Sequence, residues 1–430
     1  MQPEFAPLGE SDCAPSPMNI VRLLTILLAT TALTLAQEKR PAAAPLAQDY
    51  TVVFHNPDPE YYVEGPGLVR FDDGSLLAVV PVVPREQWSE ERRLAHSVVH
   101  LLRSSDHGAT WQPLADLPYY SAAPWRDGDT LYLFANKPGV GKKRNADLLL
   151  LRSDDRGRTW SAPVTLFTGN YWNCHTAMVQ RDRRIYWAID DLSLGKNRGP
   201  RLVAGDLSGD PMNPQAWRIS EPLPFPGAPE AMWNPKFAAL PDQYLEPNVI
   251  EVNGQLRVLV TVKFKRQTSA SLCAVLDATD TDGQLALKFV RYNAMPGGQL
   301  KFCVLRDDVS KMFWLTSNLP VASEDTFGWS AAAEQQGHFK STAGDRRTLM
   351  LSYGLDGLNW FPAGCIAQAP KLSQSFMYAR PVLDGDDLAI IARSSIAAPN
   401  QHDADCATFH RVRDFRRLAL ELVPGREEVK

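Results

Sequence analysis

Cysteine is scarce in this chain of 430 residues: six in all, with no CxxC spacing. One, Cys13, precedes an apolar run at 23–35, which leaves five after it, an odd number. That argues against a disulfide framework or a zinc site and predicts small buried apolar side chains. Positive charge is not in excess: 45 Lys and Arg stand against 49 Asp and Glu, a formal net charge of −4. General nucleic-acid binding needs a strongly basic domain, so no nucleic-acid partner is expected. Long segments with apolar residues at helical period are missing, which disfavours a βαβ fold. No Asp/Glu/His spacing points to a catalytic metal, so neither metal nor cofactor is expected. The run at 23–35 is too short for a comfortable membrane span.

That run reads instead as the core of a signal peptide over 18–36, with Arg22 supplying the positive end and Thr34, Leu35 and Ala36 the cleavage site. Residues 1–17 hold Glu4, Glu10 and Asp12, unlike a signal start, which places translation initiation at Met18 and makes 1–17 an upstream extension. The expected order is then a linker over 37–48, one domain over 49–425 and a charged tail over 426–430. A secreted or periplasmic protein follows, free of the membrane after signal removal. Oligomeric state leaves no trace in the sequence.

What the chain has in quantity is 11 Trp, 33 Pro and a recurring hairpin. Residues 67–80, 123–134, 177–189, 248–260, 302–315 and 381–391 each read apolar, polar turn, apolar. Their turns lie about 54 to 76 residues apart, the length of a four-stranded blade with loops. Six such units predict an all-β, six-bladed β-propeller of four-stranded antiparallel blades. The segment 49–54 is expected to pair with 406–412 and so close the ring without a free edge.

Two segments fit S-x-D-x-G-x-T-W: 104–111, with Asp106 and Trp111, and 153–160, with Asp155 and Trp160. The aspartate can accept turn N–H groups, the glycine permits the turn, and the tryptophan fills the gap between strands. A degenerate third copy at 353–360 ends on Trp360 but lacks the central Asp. These are fold elements, not catalytic ones. With the six hairpins, they resemble the sialidase superfamily of Asp-box (BNR) repeat proteins, over roughly residues 48–425. The resemblance implies a six-bladed propeller with its active site on the axis, at the face opposite the Asp boxes.

At that mouth the residues entering or leaving the inner strands are unusually polar. Glu64, Glu246, Asp191 and Asp190 are candidate carboxylates for glycosidase chemistry, which needs a proton donor and a second group at the ring carbon. His175 is a candidate base, its ordinary pKa lying near neutrality, or a buried structural histidine. Arg380, Lys301, Lys263, Arg85 and Arg393, with Asn248, are candidate substrate-binding groups, and their positive excess favours an anionic sugar. Lys137, Lys142, Lys143, Arg144, Lys265 and Arg266 add to it. The resemblance aligns Glu246 with the glutamate that activates a tyrosine nucleophile. It places that tyrosine near 375–380, where counting back from Asp384 favours Phe376 and Tyr378 needs a two-residue slip. Glu64 and Lys263 stand where the family carries arginines. The expectation is an exo-acting glycoside hydrolase on an acidic extracellular glycan. The alternatives are a lyase on a uronate polymer, with His175 as base, Lys301 or Arg380 on the carboxylate and Tyr378 or Glu64 as acid, and a non-catalytic glycan-binding propeller.

Overall fold

The computed structural model describes residues 43–85, 96–136, 146–172, 174–195, 198–227, 243–263, 271–321, 335–337 and 344–420. The expected signal peptide and charged tail lie outside them. Residues 45–430 cluster as one compact unit, apart from 1–44. Its strands form six antiparallel sheets, each starting from one of the hairpins read in the sequence, so the fold is a six-bladed β-propeller.

In the first blade Tyr61–Val63 and Gly67–Arg70 share the inner edge of Leu76–Pro84, followed by Val98–Ser104 and Gln112–Leu117. The second runs Ser121–Asp127, Thr130–Asn136, Leu148–Ser153 and Val164–Phe167. In the third, Tyr171–Trp172 and Val179–Arg181 border Arg184–Asp191, then Gly199–Asp206 and Trp217–Ile219. The fourth is Gln243–Val252, Gln255–Lys263, Leu272–Thr281 and Gln284–Ala294, and the fifth Cys303–Arg306, Phe313–Asn318, Thr348–Gly354 and Phe361–Gln368. The sixth takes Ser375–Asp384, Asp387–Ser395 and Cys406–Val412 from the C-terminal end and Thr51–His55 from the N-terminal end. Thr51 faces Phe409 and His55 faces Cys406, the closure expected from the sequence.

Burial explains the residue patterns. Leu76–Pro84 is apolar throughout because neighbouring blades cover both of its faces, and every residue in it is buried. The outermost strand Gln284–Ala294 has one face to solvent and alternates accordingly. Apolar clusters fill the seams between consecutive blades. Trp125, Phe134, Trp187 and Trp217 pack the seam between blades two and three, and Trp314, Phe376 and Phe415 that between five and six.

The two S-x-D-x-G-x-T-W segments fold as identical turns. Asp106 accepts from Thr110 N at 2.9 Å, Thr110 Oγ1 at 2.6 Å and Ser104 Oγ at 2.8 Å, and Asp155 repeats the pattern with Thr159 and Ser153. Gly108 and Gly157 take φ of 89° and 93°, which a side chain would oppose. Trp111 packs on Phe409 across the closing seam. In the third copy Asp356, one position later than in the other two, supplies the missing carboxylate and accepts from Leu358 N and Asn359 N at 2.9 and 2.8 Å.

Candidate active site

Two inner strands break their pairing at the same point. In blade four, Leu245 faces Thr261 but Asn248 faces Leu259, so one extra residue is accommodated. In blade six, Met377 faces Arg393 but Arg380 faces Ile391, again with one extra residue. These are β-bulges, which re-aim side chains. The bulged residues Glu246 and Tyr378 both have φ of 52°, an uncommon state for side chains of this size. The bulges bring them together: Tyr378 Oη donates to Glu246 Oε1 at 2.6 Å. The bulge thus supplies the slip that lets Tyr378 face Glu246, which simple counting missed. Phe376, which counting favoured, is buried against Tyr50 and His410.

The surroundings fix this pair. Asp190, fully buried, accepts from the Glu246 backbone N–H at 3.1 and 3.2 Å and from Arg198 at 3.0 Å. Burial raises its pKa to about 6, against the lowering effect of Arg198. Gly65 leaves room for the tyrosine ring, since a Cβ there would lie 2.8 Å from Tyr378 Cδ1. Arg393 is completely buried, with its guanidinium carbon 5.2 Å from the Tyr378 ring centroid and 5.1 Å from that of Tyr62. Its Nη1 donates to Glu64 Oε2 at 3.0 Å, an ion pair between two buried groups. Burial, and next the Glu246 charge, push the Tyr378 phenol well above its usual range, so it stays protonated at neutral pH. Its side chain is only partly buried and can be reached from solvent.

Two more cations bear on this centre. Lys301 is 5% exposed, holds its ammonium 5.6 Å from the Tyr378 ring centroid, and has no hydrogen-bond partner for Nζ among the described residues. Burial lowers the pKa of Arg346, on which the charges of Tyr378, Arg393 and Glu246 also act. Sequence reasoning passes over Arg346 because it ends a long inter-strand segment with no hairpin pattern.

Several other candidates are committed to the scaffold. Asn248 uses its whole side chain, accepting from Ala177 N and Val304 N and donating to the carbonyls of Glu246 and Phe302. It ties three blades together and has no capacity left for a substrate. Asp191 is held by Arg201 Nε at 2.6 Å and by Ser193 N, because alternation along the strand turns it away from Asp190. His175 is buried and its Nδ1 accepts from Leu68 N at 3.3 Å, while burial, Arg380 and Lys301 hold its pKa well below the usual value. Arg85 pairs with Asp403 at 3.0 Å, and Arg380 donates to Cys303 Sγ at 2.9 Å. Lys263 ends its strand opposite Gln243, half-buried. Lys137, Lys142, Lys143, Arg144, Lys265 and Arg266 lie outside the described residues. All five described cysteines are free, and four are buried. His55, Asp405 and Cys406 bring potential metal-ligand atoms within 4.8 Å of one another. However, both Asp405 oxygens already accept backbone N–H groups, and burial pushes the thiol up to about 12.

With this geometry in view, comparison with known proteins is informative. No family model matches. A sialidase of Bacteroides fragilis strain YCH46 is 31% identical over 131 residues, 24% of this chain and 24% of the relative. The chain resembles the sialidases. A mutant of Trypanosoma rangeli sialidase displaying trans-sialidase activity superposes with a TM-score of 0.58 at 15% identity, covering 87% of this chain and 61% of that one. The Penicillium chrysogenum α-L-arabinanase complexed with arabinobiose superposes at 0.55 with 14% identity, covering 87% and 100%. At such identities the solved structures speak to the fold alone. The chain matches about a quarter of the length of its sialidase relative.

Proposed function

We propose that this protein is a secreted, exo-acting, sialidase-like glycoside hydrolase whose substrate is an acidic extracellular glycan. The observation that carries the reading is the 2.6 Å hydrogen bond from Tyr378 to Glu246, built on two bulges that cost backbone strain. A protonated phenol is a poor nucleophile until a base takes its proton. Glu246 Oε1 is placed to do that as Tyr378 Oη approaches the anomeric carbon. The acidic substrate is supported by Lys301 over the Tyr378 ring, since Arg393 is already neutralised by Glu64. Secretion rests on the signal-like segment at 18–36. The lyase reading needs His175 as base, and its Nδ1 is already engaged by the Leu68 N–H.

Incubation with a panel of acidic glycans in ¹⁸O-labelled water, read by mass spectrometry, tests the reading. Hydrolysis places the label in the released sugar, whereas elimination gives an unlabelled, unsaturated product. Glu246→Gln should keep the fold and release nothing. Glycan binding without any product, or unchanged turnover in that variant, would overturn the proposal.

A further inference from the structure

The loop over 396–405 joins the strands Asp387–Ser395 and Cys406–Val412 of blade six, and it is fixed along its length. Asp405 accepts from Ile396 N and Ala397 N at 2.8 and 2.9 Å, which ties its end to its start. Asn400 Oδ1 accepts from His402 N and Asp403 N, both at 2.8 Å, and Ser395 Oγ donates to Asn400 O at 2.7 Å. Gln401 is fully buried, accepting from Arg346 N at 2.8 Å and donating to Leu372 O at 2.9 Å. Val63 N donates to Ala404 O at 2.9 Å, next to Glu64 in blade one. None of these bonds uses the His402 imidazole, so the loop keeps its shape without that ring.

The ring is nevertheless aimed. Its Nδ1 lies 2.9 Å from Asp403 Oδ1, and Asp403 Oδ2 accepts from Arg85 Nη1 at 3.0 Å and Asn400 Nδ2 at 3.2 Å. Against burial, the hydrogen bonds from His402 and Asn400 hold the Asp403 carboxyl well below its usual range, so it acts only as an acceptor. The proton of the neutral imidazole therefore sits on Nδ1, which leaves the lone pair on Nε2. With 45% of its side chain exposed, the ring is open to a ligand. Arg393 is the neighbour that His402 shares with Tyr378. Its Nη2 donates to the His402 carbonyl and lies 3.5 Å from Nδ1, while its guanidinium carbon is 5.2 Å from the Tyr378 ring centroid. The rings of His402 and Tyr62 are 5.9 Å apart, and Tyr62 carries the same guanidinium at 5.1 Å. Cleavage of a glycosidic bond needs a proton at the leaving oxygen, and the Tyr378–Glu246 pair keeps its own proton between its two members.

We infer that His402 is the acid–base residue of the reaction, with Asp403 as its positioning residue. Nε2 gives a proton to the leaving oxygen as the bond from Tyr378 Oη to the anomeric carbon forms and the glycosidic bond breaks. The phenol proton passes to Glu246. In the second half, water attacks the anomeric carbon and gives a proton to Nε2. The bond to Oη breaks, and Glu246 returns its proton to Oη, so the sum is addition of one water. The inference rests on the glycosidase reading above and adds the proton donor to it. Burial, and next the Arg393 charge, lower the His402 pKa; Arg346 acts in the same direction, Asp403 and Glu64 against it. The first half needs the imidazolium, so activity should peak on the acid side of neutrality.

The test uses the full chain and the methyl and 4-nitrophenyl glycosides of N-acetylneuraminic acid and of glucuronic acid. For His402→Ala, kcat/KM on the methyl glycoside should fall at least about 100-fold. On the 4-nitrophenyl glycoside, whose leaving group needs no proton, it should fall less than about tenfold, which also shows that the variant is folded. Azide, a nucleophile that needs no base, should restore kcat on the aryl glycoside and appear in the product as a glycosyl azide. Asp403→Asn removes the anion that favours the imidazolium, so the alkaline limb of kcat/KM should move to lower pH. Equal losses on methyl and aryl glycosides, or an unmoved limb in Asp403→Asn, overturn the inference. A wild-type chain inert on all four glycosides instead overturns the acidic-glycan reading beneath it, which keeps the two failures distinct.

Discussion

Asp190 shows how one side chain can serve the site without touching a substrate. Its carboxylate accepts the Glu246 N–H and the Arg198 guanidinium, and so holds the bulge in place. Burial raises its folded pKa to about 6 from 3.8. The folded state therefore binds more protons than the unfolded state between those values, and the Asp190 contribution to stability falls as pH rises through that window. Asp190→Asn should remove this slope. Relative to wild type, the variant should gain stability between pH 4 and pH 7 on the order of 2–3 kcal/mol. Urea unfolding at both pH values measures it, and a difference that does not change with pH would show that Asp190 does not titrate as described.

At the scale of the element, the hairpins were legible and the bulges were not. Short apolar runs around Asp-Gly, Asn-Gly or similar turns announce strands because both the burial and the turn chemistry have residue signatures. The third S-x-D-like turn was legible only in part, because its carboxylate moved by one position to Asp356. A bulge at Glu246 or Tyr378 has no such signature, since neither glycine nor asparagine marks its positive φ. Glu246 was singled out through its likeness to sialidases, while the place of Tyr378 depended on a slip that only the pairing register reveals. Lys301 was readable as polar at the mouth, but its unpaired state was not. Deleting Ala379 should restore regular pairing beside Met377 and turn the Tyr378 ring away from Glu246. Activity should fall at least about 100-fold, while the far-ultraviolet circular dichroism keeps its β signature. Retained activity would show that the bulge is not what aims the tyrosine.

The molecule as a whole depends on its closure. Residues 46 and 47 hydrogen-bond to the outer strand of blade five, and Thr51–His55 then completes blade six. Asp384 gathers Arg70 of blade one, Arg411 of blade six and His107 of the first S-x-D turn on the turn-bearing side of the same seam. Arg416, after the last strand, clamps Asp307 of blade five with two bonds of 2.8 and 2.9 Å. A chain starting after His55 loses the closing strand and exposes the edge of Cys406–Val412. It should aggregate or melt at least about 10 °C lower than the full chain. Size-exclusion chromatography and calorimetry would detect either result, and an unchanged melting temperature would mean that closure does not hold the ring together.

The ring exists, in this account, to hold two bulges from blades four and six at one point on its axis. A double-mutant cycle on Glu246→Gln and Tyr378→Phe, followed through the rate of sugar release, tests that most directly. Groups that act as one unit give non-additive losses. Each single variant should lose at least about 10³-fold in kcat/KM, with the double variant no worse than the poorer single and all melting temperatures close to wild type. Small losses that multiply in the double variant would contradict the claim that Tyr378 and Glu246 form one reacting centre.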